Sequence, residues 1–327
     1  MRKKNIAVVV GGFSPEAVIS RESGKQVAKN LDTDRFDAYI VDISKDGWVV
    51  KSELVCDVPL NQSDFSFTYN GQKIKFDFAF ILIHGHPGEN GVLQGYFDMI
   101  GVPYSTAGVR TSVLTFDKYQ SKLFLKQFGV ISAKSFFLNK NIDTPLETII
   151  NELGLPCFVK PNASGSSFGV AKAKTINDLQ KAIDAAFAED PHGVIVEEFI
   201  EGTEVSCGVL KTADEALVLP PTEIVTENEF FDYEAKYIGS NTQEITPARL
   251  PENITQKIQG ASSRIYDLFQ CKGIVRVDFI IKNGIPYFIE INTVPGMSAK
   301  SLFPQQARVK GIEMKKILTM VIRDLSK

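Results

Sequence analysis

Two patterns of apolar and polar residues alternate along the chain. Short runs rich in Val, Ile and Phe are typical of buried strands, and apolar residues at intervals of three or four positions are typical of amphipathic helices. The chain opens with a strand over 5–10, a helix over 20–31 and a strand over 37–42. This opening predicts an α/β protein with a parallel sheet, whose ligands bind at the carboxyl ends of the strands.

The same two patterns continue to the end of the chain. A strand over 76–83 delivers His84 to a loop, and the turn GVPYSTAG closes a first domain near residue 106. An irregular polar stretch over 223–247 interrupts the last third. The other predicted strands cover 135–138, 157–160, 170–173, 194–199, 204–210 and 216–219, and the other predicted helices cover 91–100, 112–128, 144–153, 175–188, 252–269 and 311–325.

Composition narrows the class of protein. The 327 residues exceed what one hydrophobic core usually serves, and the formal charge of −3 gives no sign of a nucleic-acid partner. Apolar runs such as FAFILI at 78–83 are far shorter than the roughly 18 residues that span a bilayer, and the apolar run at the N-terminus is too short for a signal peptide. The four cysteines lack metal-binding spacing. We therefore expect a cytoplasmic protein with reduced thiols and without nucleic-acid or membrane partners.

Two short apolar strands between residues 274 and 296 carry Asp278, Glu290 and Asn292. Buried carboxylates are costly unless they are paired or bind a metal. Two carboxylates and an amide oxygen are hard ligands that suit Mg²⁺, and Mg²⁺ held by few protein oxygens usually also binds substrate phosphates. The segment therefore suggests a nucleoside triphosphate site. The alternative is an antiparallel hairpin whose charged side chains face water.

The register of this hairpin decides whether the proposed ligands share a face. A two-residue turn at Asn283 and Gly284 would place Asp278 opposite Ile289 and would separate the ligands. We therefore predict a loop of odd length, with three residues and with Gly284 in a left-handed bulge. Such a loop turns Arg276 and the three proposed ligands to one side of the hairpin.

A loop rich in glycine and serine, KPNASGSSFGV, follows a predicted strand that ends at Lys160. Its small residues, Gly165, Ser166, Ser167 and Gly169, allow backbone N–H groups to approach phosphate oxygens. The lysine precedes the glycines, so the loop is not a Walker P-loop. The alternative is an ordinary hairpin loop.

Acidic residues cluster in the segment IVEEFIEGTEV, where Glu197, Glu198 and Glu204 lie on strands around a glycine turn. A carboxylate at a strand edge can accept a hydrogen bond from a ribose hydroxyl, and the backbone groups of Glu198 and Ile200 can form hydrogen bonds with the edge of an adenine ring. The alternative is a solvated edge of the sheet.

The turn after the first strand contains Gly11 and Gly12. It lacks the G-x-G-x-x-G spacing of a dinucleotide fingerprint, so we do not expect NAD binding. Glu16 follows this turn near a helix start, where its carboxylate could receive a substrate ammonium. Alternatively, it is an ordinary acidic residue at a helix N-terminus.

Seven motifs follow one another along the chain: GGFSPE, HGHPGENGVLQG, GVPYSTAGVRTSVLTFDK, VKPNASGSSFGV, EEFIEGTE, FFDYEAKY and RVDF…FIEINTVPGMSAKSLFP. In this order they resemble the motifs of the D-alanine:D-alanine ligase family, a member of the ATP-grasp superfamily. The resemblance covers nearly the whole chain. It implies a three-domain ATP-grasp architecture with a Rossmann-like parallel sheet in the first domain. The implied domains are 1–106, 107–196 and 197–327, with a lid over about 223–247.

The resemblance also assigns roles to residues that match the family's motifs. The implied catalytic residues are Glu16, Ser166, Tyr237, Arg276 and Gly296. The implied amino-acid-binding residues are His84, Lys236, Ser301 and Leu302. The implied ATP-binding residues are Lys118, Lys160, Ser167, Glu197, Glu198, Phe199, Ile200 and Glu204. The implied ligands of two Mg²⁺ or Mn²⁺ ions are Asp278, Glu290 and Asn292.

A reaction follows from the resemblance. ATP converts one D-alanine into an acyl phosphate, and the amine of a second D-alanine attacks it to give the dipeptide used in peptidoglycan precursors, with release of ADP and phosphate. A triad of Glu16, Ser166 and Tyr237 would close the lid and exclude water, which would hydrolyse the acyl phosphate. Tyr237 favours D-alanine over D-lactate as the acceptor. Family members commonly form dimers through the first domain, so a homodimer is expected.

The sequence departs from the family's usual motifs at several positions. Ala17 and Lys300 stand where relatives commonly carry histidine, and both lie near the implied amino-acid subsites. His86 with Pro87, and Asn90, also differ from the usual residues. Affinity and acceptor preference are the properties that these departures affect.

Two other classes of protein remain open from the sequence. Another ATP-grasp carboxylate–amine ligase would share the ATP and metal residues, but it would lack the triad. A non-catalytic nucleotide-binding protein would not need Arg276 or Asn292, and both are present.

Overall fold

The computed structural model describes residues 2–51, 57–142, 144–165, 169–226 and 242–326. Within these ranges, no helix is long and apolar enough to cross a membrane. The strands in chain order are β1 (Lys4–Gly11), β2 (Phe36–Ser44), β3 (Gly47–Lys51), β4 (Val58–Pro59), β5 (Ser66–Tyr69), β6 (Gln72–Lys75), β7 (Phe78–Ile81), β8 (Ser135–Leu138), β9 (Cys157–Pro161), β10 (Ala171–Ala173), β11 (Val194–Glu198), β12 (Thr203–Lys211), β13 (Ala216–Val218), β14 (Thr222–Thr226), β15 (Thr242–Ile245), β16 (Ile274–Lys282) and β17 (Ile285–Asn292). The helices in chain order are α1 (Ala17–Asn30), α2 (Val92–Ile100), α3 (Val109–Phe116), α4 (Lys118–Lys126), α5 (Leu146–Leu153), α6 (Ile176–Glu189), α7 (Glu252–Leu268), α8 (Leu302–Val309) and α9 (Met314–Leu325).

The first sheet has the order β4-β3-β2-β1-β7, and β1 runs parallel to both β2 and β7. The predicted parallel opening is therefore confirmed. The sequence patterns did not predict β3 and β4, which extend this sheet, or the β5–β6 hairpin. Gly11 and Gly12 have φ angles of 94° and 102°, and a Cβ on Gly11 would lie 2.6 Å from Oδ1 of Asp42. The turn that leads to Glu16 at the start of α1 therefore requires glycine.

The second sheet has the order β10-β9-β11-β8, and these strands pair antiparallel. The single helix predicted over 112–128 is wrong, because α3 and α4 are separate helices. Asp117 between them is extended, with φ −81° and ψ 106°, and its carboxylate accepts a hydrogen bond from the N–H of Gln120 at 2.8 Å. This N-cap starts α4, which carries Lys118 and Lys122 one helical turn apart.

The third sheet has the order β15-β14-β12-β16-β17, and β13 also pairs with β12. Strands β14 and β15 pair antiparallel, so the predicted irregular stretch over 223–247 has strands at both ends. Its middle part, 227–241, lies outside the described residues.

Strands β16 and β17 meet in a two-residue turn, in which Lys282 pairs with Ile285. Asn283 and Gly284 have φ angles of 53° and 73°, the left-handed geometry that Asn-Gly turns adopt. The predicted three-residue loop is therefore wrong, because Asn-Gly satisfies the tighter turn without strain.

A β-bulge in β17 nevertheless produces the predicted face. The register shifts next to Asp278, which pairs with Glu290, so Ile289 is the extra residue. Arg276 pairs with Asn292 in the same register. The four polar side chains therefore lie on one face of the hairpin, as predicted, although the extra residue lies in the strand and not in the turn.

One apolar cluster joins the first and last parts of the chain. It contains Val8 and Val27 from β1 and α1 together with Phe303 and Leu318 from α8 and α9, all at most 1% exposed. A second cluster, which includes Leu179, packs α6 against the second sheet. The first and last parts of the chain therefore share one core and the second sheet has its own, whereas Leu125 of α4 packs in a further cluster with β16 and β17 of the third sheet.

Candidate active site

A cavity of about 720 Å³ lies between the three sheets. This volume is typical of small-molecule and cofactor sites. The predicted site residues that line it are Glu16, His84, Lys118, Lys160, Glu197, Glu198, Ile200, Glu204, Arg276, Asp278, Glu290, Asn292, Gly296, Ser301 and Leu302. One cavity thus brings together residues from all three parts of the chain.

Five other predicted site residues are not among the described residues that line the cavity. Phe199 does not line the cavity, and its ring lies 4.1 Å from Nζ of Lys172. Ser166, Ser167, Lys236 and Tyr237 lie outside the described residues.

Two lysines hold the carboxylate of Glu197, which is 4% exposed. Nζ of Lys160 lies 2.7 Å from Oε2, and Lys122, which is 5% exposed, pairs with Oε1. Burial alone would raise the pKa of Glu197, but the two ammonium groups lower it to about 2. The ionised Glu197 therefore fixes two cations at the cavity wall, one of which, Lys122, was not predicted from the sequence.

The strand end after Glu197 offers backbone groups to the cavity. The N–H of Glu198 donates to the carbonyl of Lys134 at 3.0 Å, and the Glu198 carboxylate accepts from the N–H of Lys134 at 2.8 Å. These two bonds tie β11 to the start of β8. Glu198 and Ile200, on either side of Phe199, border the cavity at this fixed edge.

The β16–β17 hairpin presents its polar face to the cavity. Asp278 is 6% exposed and accepts hydrogen bonds from Ser206 Oγ at 2.7 Å and from Asn292 Nδ2 at 3.0 Å. Nη2 of Arg276 lies 2.9 Å from Asp278 Oδ2. Glu290 lies directly opposite Asp278.

This donor set fits a hard divalent cation that also binds phosphate. Two carboxylates and one amide lie on adjacent paired positions, and Nζ of Lys118 lies 3.4 Å from Glu290 Oε2. Among the described residues, no group of three or more His, Cys, Asp or Glu side chains could hold a metal by itself. Coordination at Asp278, Glu290 and Asn292 would therefore need further oxygens, such as those of a nucleotide.

Glu16 also lines the cavity and is 6% exposed. The loop after Lys160 comes close to it, because a Cβ on Gly165 would lie 2.7 Å from Glu16 Oε2. The predicted triad requires this approach. Its other members, Ser166 and Tyr237, lie outside the described residues.

His84 lies beside Glu16 in the cavity wall and is 8% exposed. Burial lowers the pKa of His84, and the charge of Glu16 acts in the opposite direction. The imidazole is therefore neutral near pH 7. Its Nε2 atom is buried without a hydrogen-bond partner in the described part of the chain, so one nitrogen of the ring is unsatisfied.

Glu89 is a further buried carboxylate of this wall, and the sequence motifs did not single it out. It accepts hydrogen bonds from the N–H of Gly85 at 2.7 Å and from the N–H of Val294 at 3.2 Å. Burial raises the pKa of Glu89 to about 7, and the charges of Glu16 and Glu290 act in the same direction. Its position in the motif HGHPGENG was the available signal.

Gly296 and Ser301 lie in the segment between β17 and α8. A Cβ on Gly296 would lie 2.8 Å from Ser301 Oγ, so close approach restricts this position to glycine. Ser301 Oγ also accepts a hydrogen bond from the N–H of Ser298 at 3.1 Å. Leu302 begins α8, and the N-terminus of a helix favours an anion.

Known proteins match this chain over almost its full length. The D-ala D-ala ligase N-terminus model matches residues 5–107, and the D-ala D-ala ligase C-terminus model matches residues 121–323. The D-alanine–D-alanine ligase of Parabacteroides distasonis is 50% identical over 98% of this chain and 97% of its own. Two solved structures are similar in fold: D-alanyl-alanine synthetase A of Vibrio cholerae (TM-score 0.89, 27% identity, 100% of this chain and 99% of that chain) and the VanG D-Ala:D-Ser ligase of Enterococcus faecalis (TM-score 0.87, 32% identity, 100% of both chains).

The fold and the cavity define an α/β ligase with the ATP-grasp architecture. The chain belongs to the D-alanine–D-alanine ligase family.

Proposed function

We propose that this enzyme joins two D-alanine molecules to D-alanyl-D-alanine through an acyl phosphate, with consumption of ATP and release of ADP and phosphate, for peptidoglycan precursor synthesis. The observation that carries the proposal is the single cavity that contains the paired lysines, the acidic hairpin and Glu16. A nucleotide and an amino acid bound there would lie side by side. Family membership supports the same reaction.

Lys118 and Lys160 bind the phosphates of ATP in this proposal. Lys160 is held by Glu197, so its ammonium group is in place before the nucleotide arrives. Glu204 receives the ribose, and the backbone from Glu198 to Ile200 receives the adenine. Phosphoryl transfer depends mainly on positioning and charge neutralisation, which such fixed cations supply.

Asp278, Glu290 and Asn292 would hold two Mg²⁺ or Mn²⁺ ions. When bound, these ions would neutralise the phosphate oxygens. Ser206 supports the site, since its hydroxyl orients Asp278 at 2.7 Å.

Glu16 receives the ammonium of the first D-alanine, and neutral His84 lies beside it. Arg276 stabilises the transferring phosphoryl group, and the N–H of Gly296 stabilises the oxyanion that forms when the amine attacks. A preorganised donor of this kind contributes about 3 to 4 kcal/mol of transition-state stabilisation. Lys236, Ser301 and the N–H of Leu302 hold the carboxylate of the second D-alanine.

The acceptor is the least constrained part of the site. The similar Enterococcus protein is a D-Ala:D-Ser ligase by its title, and Lys300 lines the cavity near Ser301. Tyr237, in the proposed lid, favours D-alanine. We assign D-alanine as the acceptor and include D-serine and D-lactate in the test.

Phosphate release by the purified protein tests the proposal. We expect release that requires ATP, Mg²⁺ and D-alanine together, with one D-alanyl-D-alanine formed for each phosphate. L-Alanine is the control substrate. A protein that is inert to D-alanine but active on another amino acid would overturn the substrate assignment.

We further propose three domains, 1–106, 107–196 and 197–327, with a lid over about 223–247. Strand β11 extends two residues past the second boundary. The protein would act in the cytoplasm as a homodimer. Sedimentation equilibrium with and without substrates measures the oligomeric state.

A further inference from the structure

Two buried side chains of the first domain hold the backbone of the segment 294–297, which belongs to the last part of the chain. Ser23 Oγ accepts a hydrogen bond from the N–H of Met297 at 3.1 Å. Glu89 Oε1 accepts one from the N–H of Val294 at 3.2 Å. These two bonds lie on either side of Gly296, whose N–H is the proposed oxyanion donor.

The two acceptors are anchored to the elements that form the first amino-acid subsite. Ser23 lies on α1, which begins next to Glu16, and is fully buried. The second oxygen of Glu89 accepts from the N–H of Gly85 at 2.7 Å, which fixes the turn that follows His84. Each bond therefore connects the segment 294–297 to an element next to a proposed contact of the first D-alanine: α1 beside Glu16, and the turn that follows His84.

Apolar packing alone would not set the direction of the Gly296 N–H. The side chains of Val294 and Met297 are both 2% exposed and pack in two different clusters. Such contacts are non-directional, so they locate the segment without fixing the rotation of its peptide planes. Hydrogen bonds at both ends restrict that rotation, because a bond to a buried N–H loses strength when its angle changes.

We propose that Ser23 and Glu89 are positioning residues, which aim the Gly296 N–H in the last domain at the carbonyl oxygen of the D-alanine held by the first domain. The inference rests on the proposed function. The first domain, which binds the electrophilic D-alanine, then determines the orientation of the Gly296 N–H. The nucleotide-binding domains do not determine it. Ser23 and Glu89 contact neither substrate nor ATP in this scheme.

Three substitutions in the full-length enzyme test the proposal. Ser23→Ala removes one acceptor, and Glu89→Gln replaces one carboxylate oxygen with an amide NH₂ that cannot accept a hydrogen bond. The matched control is Ser20→Ala on the same helix, since Ser20 is equally buried and accepts from the N–H of Gly11 at 3.0 Å, within the first domain. Thermal melts confirm that each variant is folded.

Kinetics and hydrogen exchange provide the readouts. We expect Ser23→Ala and Glu89→Gln each to lower kcat about tenfold and to leave KM for ATP within about twofold, because a misplacement of about 1 Å can cost about 100-fold and the loss of one hydrogen bond should cause a smaller one. A phosphinate dipeptide analogue, whose tetrahedral phosphorus carries an oxyanion, should bind more weakly by a similar factor. Exchange of the amides in 294–297 should become faster in both variants. Ser20→Ala should change none of these quantities.

The possible failures are distinguishable. Wild-type protein that does not ligate D-alanine would refute the proposed function. An active wild-type enzyme whose Ser23→Ala and Glu89→Gln variants keep their kcat and their exchange rates in 294–297 would refute the positioning role alone. An equal loss of kcat in Ser20→Ala would also refute it, because the effect would then come from α1 in general. If Ser23→Ala does not fold, Glu89→Gln decides the outcome.

Discussion

Glu89 and Glu197 are buried carboxylates of the same cavity, yet their environments act on their pKa values in opposite directions. Both bury almost all of their surface, which by itself favours the neutral acid. Two ammonium groups pair with Glu197 and lower its pKa to about 2, whereas burial and acidic neighbours raise the pKa of Glu89 to about 7 against the opposing effect of its two backbone donors. Glu197 therefore stays ionised under all physiological conditions, and Glu89 titrates near neutrality.

The raised pKa of Glu89 predicts a pH-dependent stability in the ligand-free protein. Between the ordinary carboxyl value of 4.5 and about 7, the folded protein holds a proton that the unfolded chain has released. Stability therefore decreases as pH rises through this range, by about 3 kcal/mol for this residue. Glu89→Gln should lack this decrease in urea unfolding measured from pH 4.5 to 7.5.

The difference in pH-dependent stability between the wild type and Glu89→Gln separates the contribution of Glu89 from those of its titrating neighbours. His84 contributes the opposite slope, because its lowered pKa makes the folded state more stable as pH rises, and both proteins retain it. Glu252→Gln, on the exposed first turn of α7, serves as the control. Equal slopes in the wild type and in Glu89→Gln would show that Glu89 does not hold a proton in this range.

Motifs identified most of the polar residues that line the cavity, because their spacing in the sequence is distinctive. They did not identify Lys122 or Glu89. Lys122 follows Lys118 by one helical turn, so a helix starting at Asp117 would have placed both on one face. Burial determines the role of each missed residue, and the sequence does not reveal it.

Among the helices, α4 shows how a single cap can position charges. Asp117 ends α3, caps α4 and is followed directly by Lys118. Asp117→Ala should lower the free energy of unfolding by about 1 kcal/mol and raise KM for ATP, because the first turn of α4 would fray at Lys118. Asp117→Asn should retain both properties, since asparagine caps as well as aspartate. ATP titrations with urea unfolding measure the two effects.

Thr175→Ala provides a matched control for this cap. Thr175 caps α6 through a capping box with Asp178, so its loss should lower stability by a similar amount. Neither residue lines the cavity, and KM for ATP should therefore not change. A similar rise in KM for both variants would mean that general destabilisation, and not the position of Lys118, controls ATP binding.

Among the strands, the β16–β17 hairpin shows what sequence could and could not predict. The requirement that Asp278 and Glu290 share a face was correct, but the extra residue was assigned to the turn. Buried Phe288 and Ile291 are three positions apart, which breaks the two-residue period of a regular strand. Since Ile289 between them is also apolar, the hydrophobic pattern conceals the break.

Across the whole molecule, the hydrophobic cores do not follow the three implied domains. The second sheet has a separate cluster and α4 packs with the third sheet, whereas the first and last parts of the chain share one cluster. This connection is non-local, because β1 and α9 lie at opposite ends of the sequence. Strand and helix patterns predict each element, but they contain no signal for such a contact.

The shared core predicts which regions unfold together. Leu318→Ala should lower stability by about 2 to 5 kcal/mol and speed amide exchange in both α1 and α9, because the buried leucine belongs to a cluster formed by elements from both ends of the chain. Leu179→Ala, an equally buried leucine, should speed exchange only within about 135–198. Exchange measured by mass spectrometry separates these outcomes. Faster exchange in α9 without faster exchange in α1 would contradict the shared core.

The bulge at Ile289 also affects how many residues the β16–β17 hairpin needs. A regular hairpin with the same two-residue turn at Asn283 and Gly284, but without Ile289, would also place the acidic residue of its second strand opposite Asp278. Position 289 is therefore a site where the hairpin can lose a residue and keep the pairing of Asp278 with Glu290. The number of residues that separates the two carboxylates in the sequence is free to vary there, whereas the face that they share is not.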